Sequence, residues 1–125
     1  QRSLDLAVAM VDEARVRNGT RYDAQRMLAV LPWERAGGQL TRYLSKEVDA
    51  ELQMGAIAGL ADMQDARAAD ALAAHMAEYT ERNRAIAIDG LLKTDAGRTR
   101  LKTGLTSGTV SSAWLTPEQR AKLER

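Results

Sequence analysis

The chain has 125 residues, of which 45% are apolar and 28% charged, and its net charge is +1. A chain this close to neutral creates no electrostatic field able to hold a polyanion, which argues against a nucleic-acid partner. It contains no Cys, which excludes disulfides, thiolate catalysis, Cys-based zinc sites and covalent c-type haem attachment within this stretch.

The first part of the chain predicts three helices. Apolar residues at helical spacing place the first over residues 3–17, and Asn18-Gly19 is expected to end it, because both residues tolerate the left-handed conformation found at helix ends. A second helix, capped by Thr20, is expected to continue until Pro32. A third is expected over residues 33–44.

Three apolar helices follow one another closely in the middle of the chain. Their predicted bounds are Ala50–Ala61, Ala66–Glu78 and Glu81–Lys93, and their predicted N-caps are Asp49, Asp65 and Thr80. The first of the three is apolar around most of its circumference, so we expect other helices to cover it on more than one side.

The first and third of these helices share a sequence pattern. Ala56-Ile57 and Gly59-Leu60 recur as Ala87-Ile88 and Gly90-Leu91, an offset of about 31 residues. A helix pair that recurs at about this period is typical of an α-solenoid. The first helix pair is expected to be a degenerate copy at an offset of about 29 residues, in which Met27, Leu28 and Leu31 match Ala56, Ile57 and Leu60.

The C-terminal part predicts two further helices. One covers about Asp95–Thr106 and is expected to end at Ser107-Gly108. Thr116-Pro117-Glu118-Gln119 has the pattern of a capping box and opens a short last helix that runs to the C-terminus. No run of alternating β-branched residues is present. We therefore predict an all-α fold, an α-α superhelix of about three antiparallel helix pairs plus a short C-terminal capping helix, in a single domain over residues 1–125.

The pattern resembles the HEAT-like repeat family, whose members stack paired antiparallel helices. Three segments carry this resemblance: Ala56-Ile57-Ala58-Gly59-Leu60, the turn Asp62-Met63-Gln64-Asp65, and Ala87-Ile88-Asp89-Gly90-Leu91-Leu92. The resemblance implies a helical-repeat architecture and names no catalytic residue.

Two segments, Met27–Trp33 and Trp114–Arg120, are similar to the helical middle of large exported proteins of Planctomycetes and Verrucomicrobia. Those proteins join a sorbosone-dehydrogenase-like β-propeller, a HEAT-like segment and a C-terminal cytochrome c domain with a CxxCH motif. The resemblance covers only the middle module and implies a bacterial, extracytoplasmic (periplasmic or secreted) origin. Because the chain begins with Gln1, shows no signal peptide and has no run of 18 apolar residues, we expect a fragment of a larger protein, without a membrane span.

No set of residues in the sequence assembles into a catalytic or metal site. His75 is the only histidine and lies in no HExxH frame, so we interpret it as a surface or structural residue. Asp62 and Asp65 could suggest a cation loop, but the further oxygen ligands of a calcium loop are missing, and we interpret them as a turn residue and a helix cap. We predict no enzyme activity, no cofactor and no small-molecule ligand.

One local basic excess is present, formed by Arg82, Arg84, Arg98, Arg100 and Lys102. Acidic residues are interleaved with these side chains, so a solvated face of mixed charge is favoured over phosphate binding.

Two glycines and two tryptophans each allow a structural and a functional interpretation. Gly55 and Gly59 match the GxxxG form, which in this polar-flanked helix favours close packing within the chain over a membrane dimer. Trp33 and Trp114 could anchor a partner, although closing the end of a helix stack is the favoured interpretation.

The favoured function is a non-catalytic scaffold or protein-interaction module, which spaces or docks neighbouring domains or a partner protein. Its binding surface is expected on the second helices of the pairs, around His75, Tyr79, Arg82 and Arg84. Two alternatives stay open. One is a helper domain of a quinoprotein/cytochrome-type redox protein whose chemistry lies outside this chain. The other is a nucleic-acid-binding HEAT-like protein of the DNA-glycosylase type, which the near-neutral charge disfavours.

Overall fold

The structure, a computed structural model, describes residues 2–124, and every regular element within that range is helical. The α-helices in this range are α1 (Arg2–Val11), α2 (Asn18–Met27), α3 (Trp33–Thr41), α4 (Ala50–Met63), α5 (Ala66–Ala74), α6 (Glu81–Leu92), α7 (Asp95–Ser107) and α8 (Pro117–Glu124). Short 3₁₀ turns lie at Leu28–Val30, Arg42–Leu44, Met76–Glu78 and Ser112–Trp114. The predicted all-α class is confirmed; Arg125, the predicted end of the last helix, lies outside the described residues.

The end of α1 differs most from the prediction. The helix ends at Val11, well before Arg17, and Asn18-Gly19 forms the start of α2 instead of a stop. The Val11 carbonyl oxygen accepts hydrogen bonds from Arg21 Nε at 2.9 Å and from the Tyr43 hydroxyl at 3.1 Å. Because side chains of α2 and of the segment after α3 satisfy this carbonyl, the helix can end there without the predicted glycine signal.

The caps of the later helices follow the sequence. Three predicted caps accept a backbone N–H from two or three residues further on: Asp49 from Glu51, Asp65 from Arg67, and Thr80 from Asn83. Thr116 and Gln119 exchange two hydrogen bonds, of 2.9 and 3.1 Å, which is the predicted capping box. Thr20 is the exception, because it lies inside the first turn of α2 and not ahead of it.

The helices are arranged in two layers. Layer A contains α1, α3, α5 and α7, and layer B contains α2, α4, α6 and α8. Across the two layers α1 packs on α2, α3 on α4, α5 on α4 and α6, and α7 on α6. Helices α1 and α3 are joined by a hydrogen bond of 2.8 Å from Gln39 Nε2 to the Val8 carbonyl oxygen. In layer B, α4 packs against both α2 and α6, so it is covered on more than one side, as its apolar circumference predicts.

Glycine allows the layer B helices to approach each other closely. A Cβ on Gly59 would lie 2.8 Å from the Gln25 carbonyl oxygen of α2, and a Cβ on Gly90 would lie 2.7 Å from the Cβ of Ala61 in α4. Side-chain carbons do not approach other atoms this closely, so only glycine permits these helix separations. Gly55 also faces Gln25, and the interpretation of the GxxxG pattern as packing within the chain therefore agrees with the structure.

The observed burial corrects the alignment predicted for the first helix pair. When α2, α4 and α6 are aligned by their first residues, their buried positions coincide. The aligned residues are Ala24, Gln25 and Leu28 of α2, Ala56, Ile57 and Leu60 of α4, and Ala87, Ile88 and Leu91 of α6. All nine are at most 3% exposed. The offset between α2 and α4 is therefore 32 residues, as between Ala24 and Ala56. The predicted offset of 29 would match Met27, which is 44% exposed, with Ala56, which is fully buried.

Layer A shows a corresponding pattern. One fully buried apolar residue of each helix occupies the matching position: Val11, Leu40, Leu72 and Leu101, each at most 1% exposed. Ion pairs join neighbouring helices of this layer, Arg35 with Asp5, Arg67 with Glu34 and Arg100 with Asp70. Each arginine thus pairs with a carboxylate 30 to 33 residues earlier in the chain. Exposed pairs of this kind stabilise weakly, but they show which helix faces meet.

Gln53 joins two connections between helices, and the first turn of α6, from a buried position on α4. Its Nε2 donates to three backbone carbonyl oxygens at 3.1 to 3.2 Å: Leu44, Ser45 and Glu78. Its Oε1 accepts from the Thr80 N–H at 3.3 Å and from Asn83 Nδ2 at 3.0 Å. Both ends of the amide are therefore satisfied, and the segments that follow α3 and α5 are held to the same side chain.

Gln25 is equally buried but only half satisfied. Its Nε2 donates to the Leu52 carbonyl oxygen at 2.9 Å, whereas its Oε1 has no hydrogen-bond partner among the described residues. A buried acceptor left unpaired costs about 1–3 kcal/mol. The matching positions in α4 and α6 are Ile57 and Ile88, so this amide occupies a place that is otherwise apolar.

We expect Gly59→Ala and Gly38→Ala to change stability in opposite directions. An added Cβ at Gly59 meets the backbone of α2 and should lower the free energy of unfolding by at least about 1 kcal/mol. At Gly38, inside α3, an added Cβ meets no atom within 4 Å, so higher helix propensity should stabilise the protein by about 0.5–1 kcal/mol. Urea unfolding followed by circular dichroism measures both. A Gly59→Ala variant as stable as the wild type would contradict the close approach of α2 and α4.

A second pair of substitutions compares the two buried glutamines. Gln25→Met removes the unpaired oxygen at nearly constant volume and should raise stability by about 1 kcal/mol. Gln53→Met leaves several backbone groups unpaired and should lower it by at least about 2 kcal/mol. Thermal unfolding of both variants gives the comparison, and a destabilised Gln25→Met protein would show that Oε1 has a partner in solution.

Candidate functional site

His75 lies at the C-terminal end of α5 and is partly buried. Its Nδ1 is 2.8 Å from the carbonyl oxygen of Ala71, one turn earlier. Because a carbonyl oxygen can only accept, Nδ1 is the donor and Nε2 is left as the ring nitrogen that could meet a partner. This geometry agrees with the interpretation of His75 as a hydrogen-bonded structural residue.

Tyr79 does not belong to an accessible surface. It is only 4% exposed, and its hydroxyl donates to the Leu72 carbonyl oxygen at 2.8 Å. Burial raises the pKa of Tyr79 well above its ordinary value, and the neighbouring Glu78 carboxylate raises it further. The Tyr79 ring belongs to the hydrophobic core, so its side chain is not accessible to a partner in this structure.

Arg82 and Arg84 differ although both lie near the start of α6. Arg82 is exposed, whereas Arg84 is partly buried and its guanidinium carbon lies 4.2 Å from the centroid of the Trp114 ring. This is a cation–π contact, so Arg84 connects α6 to the segment ahead of α8. Of the four residues predicted for a binding surface, Arg82 is exposed, His75 and Arg84 are partly buried, and Tyr79 is buried.

A polar cavity of about 300 Å³ lies beside this contact. Its lining consists of Glu81, Arg84, Ala85, Ala113 and Trp114. It contains an arginine, a carboxylate and an indole, but no histidine or hydroxyl nucleophile, so this lining can bind a polar group and offers no acid–base pair of the catalytic kind.

A groove across the outer face of layer B was not predicted. Its floor is formed by Met54, Ala58 and Ala61 of α4, with Tyr22 of α2 and Ile86 of α6 on either side. The groove holds about 240 Å³ and is mainly apolar. A signal for it was present in the sequence, because a helix that is apolar on more than one face and carries small residues between larger neighbours leaves a depression.

A second shallow apolar surface lies on layer A. It is lined by Trp33 and Gly38 of α3 and by Arg67, Ala71 and Ala74 of α5. Trp33 packs on Gly37 and has the Arg67 guanidinium 5.8 Å from its ring centroid. Trp33 and Trp114 are therefore both partly buried, and each contacts an arginine of the same chain.

Most of the predicted basic excess is paired within the chain. Arg98 pairs with Asp95 and Arg100 with Asp70, while Arg84 lies on Trp114. The other two members of the group, Arg82 and Lys102, are exposed.

Arg67 organises the charges on the other side of the molecule. Its guanidinium donates to Asp65 at 2.8 Å and to Glu34 at 2.6 Å. These hydrogen bonds lower the pKa of both carboxyls below their ordinary values. Asp65 is thus the predicted cap and also an ion-pair partner, and Asp62 pairs with Arg26 at 3.1 Å.

Two further results concern residues 2–124. No three acidic or histidine side chains in this range gather in a way that could hold a metal ion. No helix in the same range combines the length and the apolar character needed to cross a membrane.

No family model, curated protein or solved structure matches this chain.

We expect the buried Tyr79 hydroxyl to make stability depend on alkaline pH. A phenol whose pKa is raised in the folded state stabilises the fold below its unfolded pKa of about 10, and that contribution is lost as pH rises above it. At pH 7, Tyr79→Phe should cost about 1 kcal/mol through the lost hydrogen bond. The melting-temperature difference between wild type and variant should shrink above about pH 10, because only the wild type has a phenol at position 79 that ionises when the protein unfolds. Tyr22→Phe, at a partly exposed position, is the control, and a pH-independent difference for Tyr79→Phe would contradict the buried role.

Proposed function

We propose that the chain is a HEAT-like helical-repeat module that acts without catalysis, as a scaffold that spaces or docks neighbouring domains or a partner protein. The observation that carries the proposal is the matching burial of α2, α4 and α6, together with the contacts that join helices about 30 residues apart. Stacked helix pairs of this kind have one continuous core and an extended surface, which suits protein binding.

The layer B groove is the surface that best fits a protein partner. Its floor of Met54, Ala58 and Ala61 is apolar and shallow, and Arg26, Asp62 and Lys93 place both signs of charge near its margin. An apolar centre with a polar rim is the usual form of a protein-binding surface. Arg82, one of the residues for which a binding role was predicted, is exposed on α6 in the same layer.

The parent protein forms a further part of the proposal. The similarity of Met27–Trp33 and Trp114–Arg120 to the middle module of exported planctomycete and verrucomicrobial proteins supports a place between a β-propeller and a cytochrome c domain. In such a parent, the module would set the distance between two redox domains and would take no chemical step itself.

Site-specific photo-crosslinking tests the proposed surface. A benzophenone amino acid replaces Ala58 in the layer B groove or, as the control, the exposed Thr103 on α7. In the native cell, light should join position 58 to one discrete protein partner or to a neighbouring domain, and position 103 should give no such product. Equal products from both positions, or none from position 58, would overturn the assignment of layer B as the binding surface.

A further inference from the structure

Arg84 lies against the Trp114 ring, and no oxygen of the described residues accepts a hydrogen bond from it. Its guanidinium carbon is 4.2 Å from the ring centroid, and the side chain is partly buried. The other partly buried arginines of residues 2–124 each donate to an oxygen of the chain: Arg21, Arg98 and Arg100. Arg84 therefore differs from them, because its N–H donors are left for water or a ligand.

The other contact between an arginine and a tryptophan shows which group Arg84 lacks. The Arg67 guanidinium lies 5.8 Å from the Trp33 ring centroid and also donates to the Glu34 carboxylate at 2.6 Å. Glu34 directly follows its tryptophan in the sequence, whereas the residue that follows the second tryptophan is the buried Leu115, whose side chain cannot accept a hydrogen bond. The Arg84 site thus has the cation and the ring of the Arg67 site without a bound carboxylate.

The space beside Arg84 is large enough for a small organic group. The polar cavity described above holds about 300 Å³, and the short side chains of Ala85 and Ala113 are part of its lining. Small-molecule pockets begin at about this volume. Because the ring already holds the guanidinium at the cavity, the side chain loses little freedom when a ligand binds.

We propose that Arg84 and Trp114 form a binding site for a carboxylate group. A carboxylate matches the planar guanidinium, which can donate two parallel hydrogen bonds to its two oxygens. A phosphate fits less well, because it carries a charge of about −1.5 to −2 at neutral pH and would lie beside Glu81, a second anion in the same lining. The group can belong to the C-terminus of a peptide or to a free small carboxylic acid.

Glu81 distinguishes these two sources. It lines the cavity three residues before Arg84 and forms no ion pair with it in the described part of the chain. An ionised carboxylate only accepts hydrogen bonds, so Glu81 favours a ligand that carries an N–H donor near its own carboxylate. The C-terminus of a peptide has both groups, whereas acetate has only one of them. The site is separate from the layer B groove and does not depend on the scaffold role proposed for it.

Nuclear magnetic resonance of the two indole N–H groups tests the site, with a Trp33→Phe variant to assign the signals. N-acetylglycine, the smallest probe with a peptide C-terminus, is added at constant ionic strength. It should shift the Trp114 signal and saturate in the millimolar range. Trp33 is the internal control and should not respond, because its arginine already has carboxylate partners. Acetate should bind several-fold more weakly, and the neutral N-acetylglycinamide should shift neither signal.

Matched variants separate Arg84 from the general charge of the helix. Arg84→Gln should keep the helical circular dichroism and weaken the binding of N-acetylglycine at least about tenfold. Arg82→Gln removes an exposed arginine two residues away and should leave the binding unchanged. Arg84→Lys keeps the charge without the planar fork and should give an intermediate affinity. In Glu81→Ala, N-acetylglycine and acetate should bind equally, because the acceptor for the N–H is gone.

Three results would contradict the carboxylate site. The first is a Trp114 signal that does not respond to N-acetylglycine, and the second is an equal loss of binding in Arg82→Gln and Arg84→Gln. The third is tighter binding of inorganic phosphate than of either carboxylate, which would assign the site to a different anion. Equal binding of acetate and N-acetylglycine to the wild type would retain the carboxylate site and identify a free acid as its ligand.

Discussion

The close approach of three layer B helices is the constraint on which the rest of the structure depends. Gly59 and Gly90 allow α2, α4 and α6 to lie so near one another that a single methyl group at either position would meet the neighbouring helix. This separation brings Ile57 and Ile88 into full burial and makes α4 the centre of the core. Layer A can then cover the same core from the other side, through Leu40, Leu72 and Leu101.

Polar groups, and not only apolar burial, define how successive helix pairs join. The Gln53 amide bonds the segments after α3 and α5 and the start of α6, so one side chain sets the positions of three helix ends. Buried amides with every atom paired specify a geometry, because any displacement leaves a group unsatisfied. Gln25 is a counterexample in the same layer, since its unpaired oxygen lies where the later helices carry isoleucine.

Several arginine side chains of α6 and α7 are engaged in contacts within the chain. Arg84 and Arg100 contact other elements through Trp114 and Asp70, whereas Arg98 pairs with Asp95 within α7. Among the described residues, the layer B groove over Met54 and Ala58 stays accessible and mainly apolar.

The sequence by itself determined the elements whose causes are local. Each helix cap follows from residues within one turn of each other: Asp49, Asp65, Thr80 and the Thr116 capping box. The helical class and the apolar circumference of α4 follow from the spacing of apolar residues in the sequence. It also identified Gly55 and Gly59 as residues that permit close packing, although not which helix they meet and not the same role of Gly90.

Tertiary structure alone decided the features whose partners are distant in the chain. The end of α1 depends on Arg21 and Tyr43, which bond the Val11 carbonyl oxygen from other elements. The alignment of α2 with α4 needed observed burial, because Met27 and Leu28 look alike in a hydrophobic pattern and only one is inside. Tyr79 is likewise a core residue whose hydroxyl donates to the Leu72 carbonyl oxygen. Arg84 packs on the Trp114 ring. Helical periodicity reports which residues share a face, but the neighbour that covers that face is set by packing between segments about 30 residues apart.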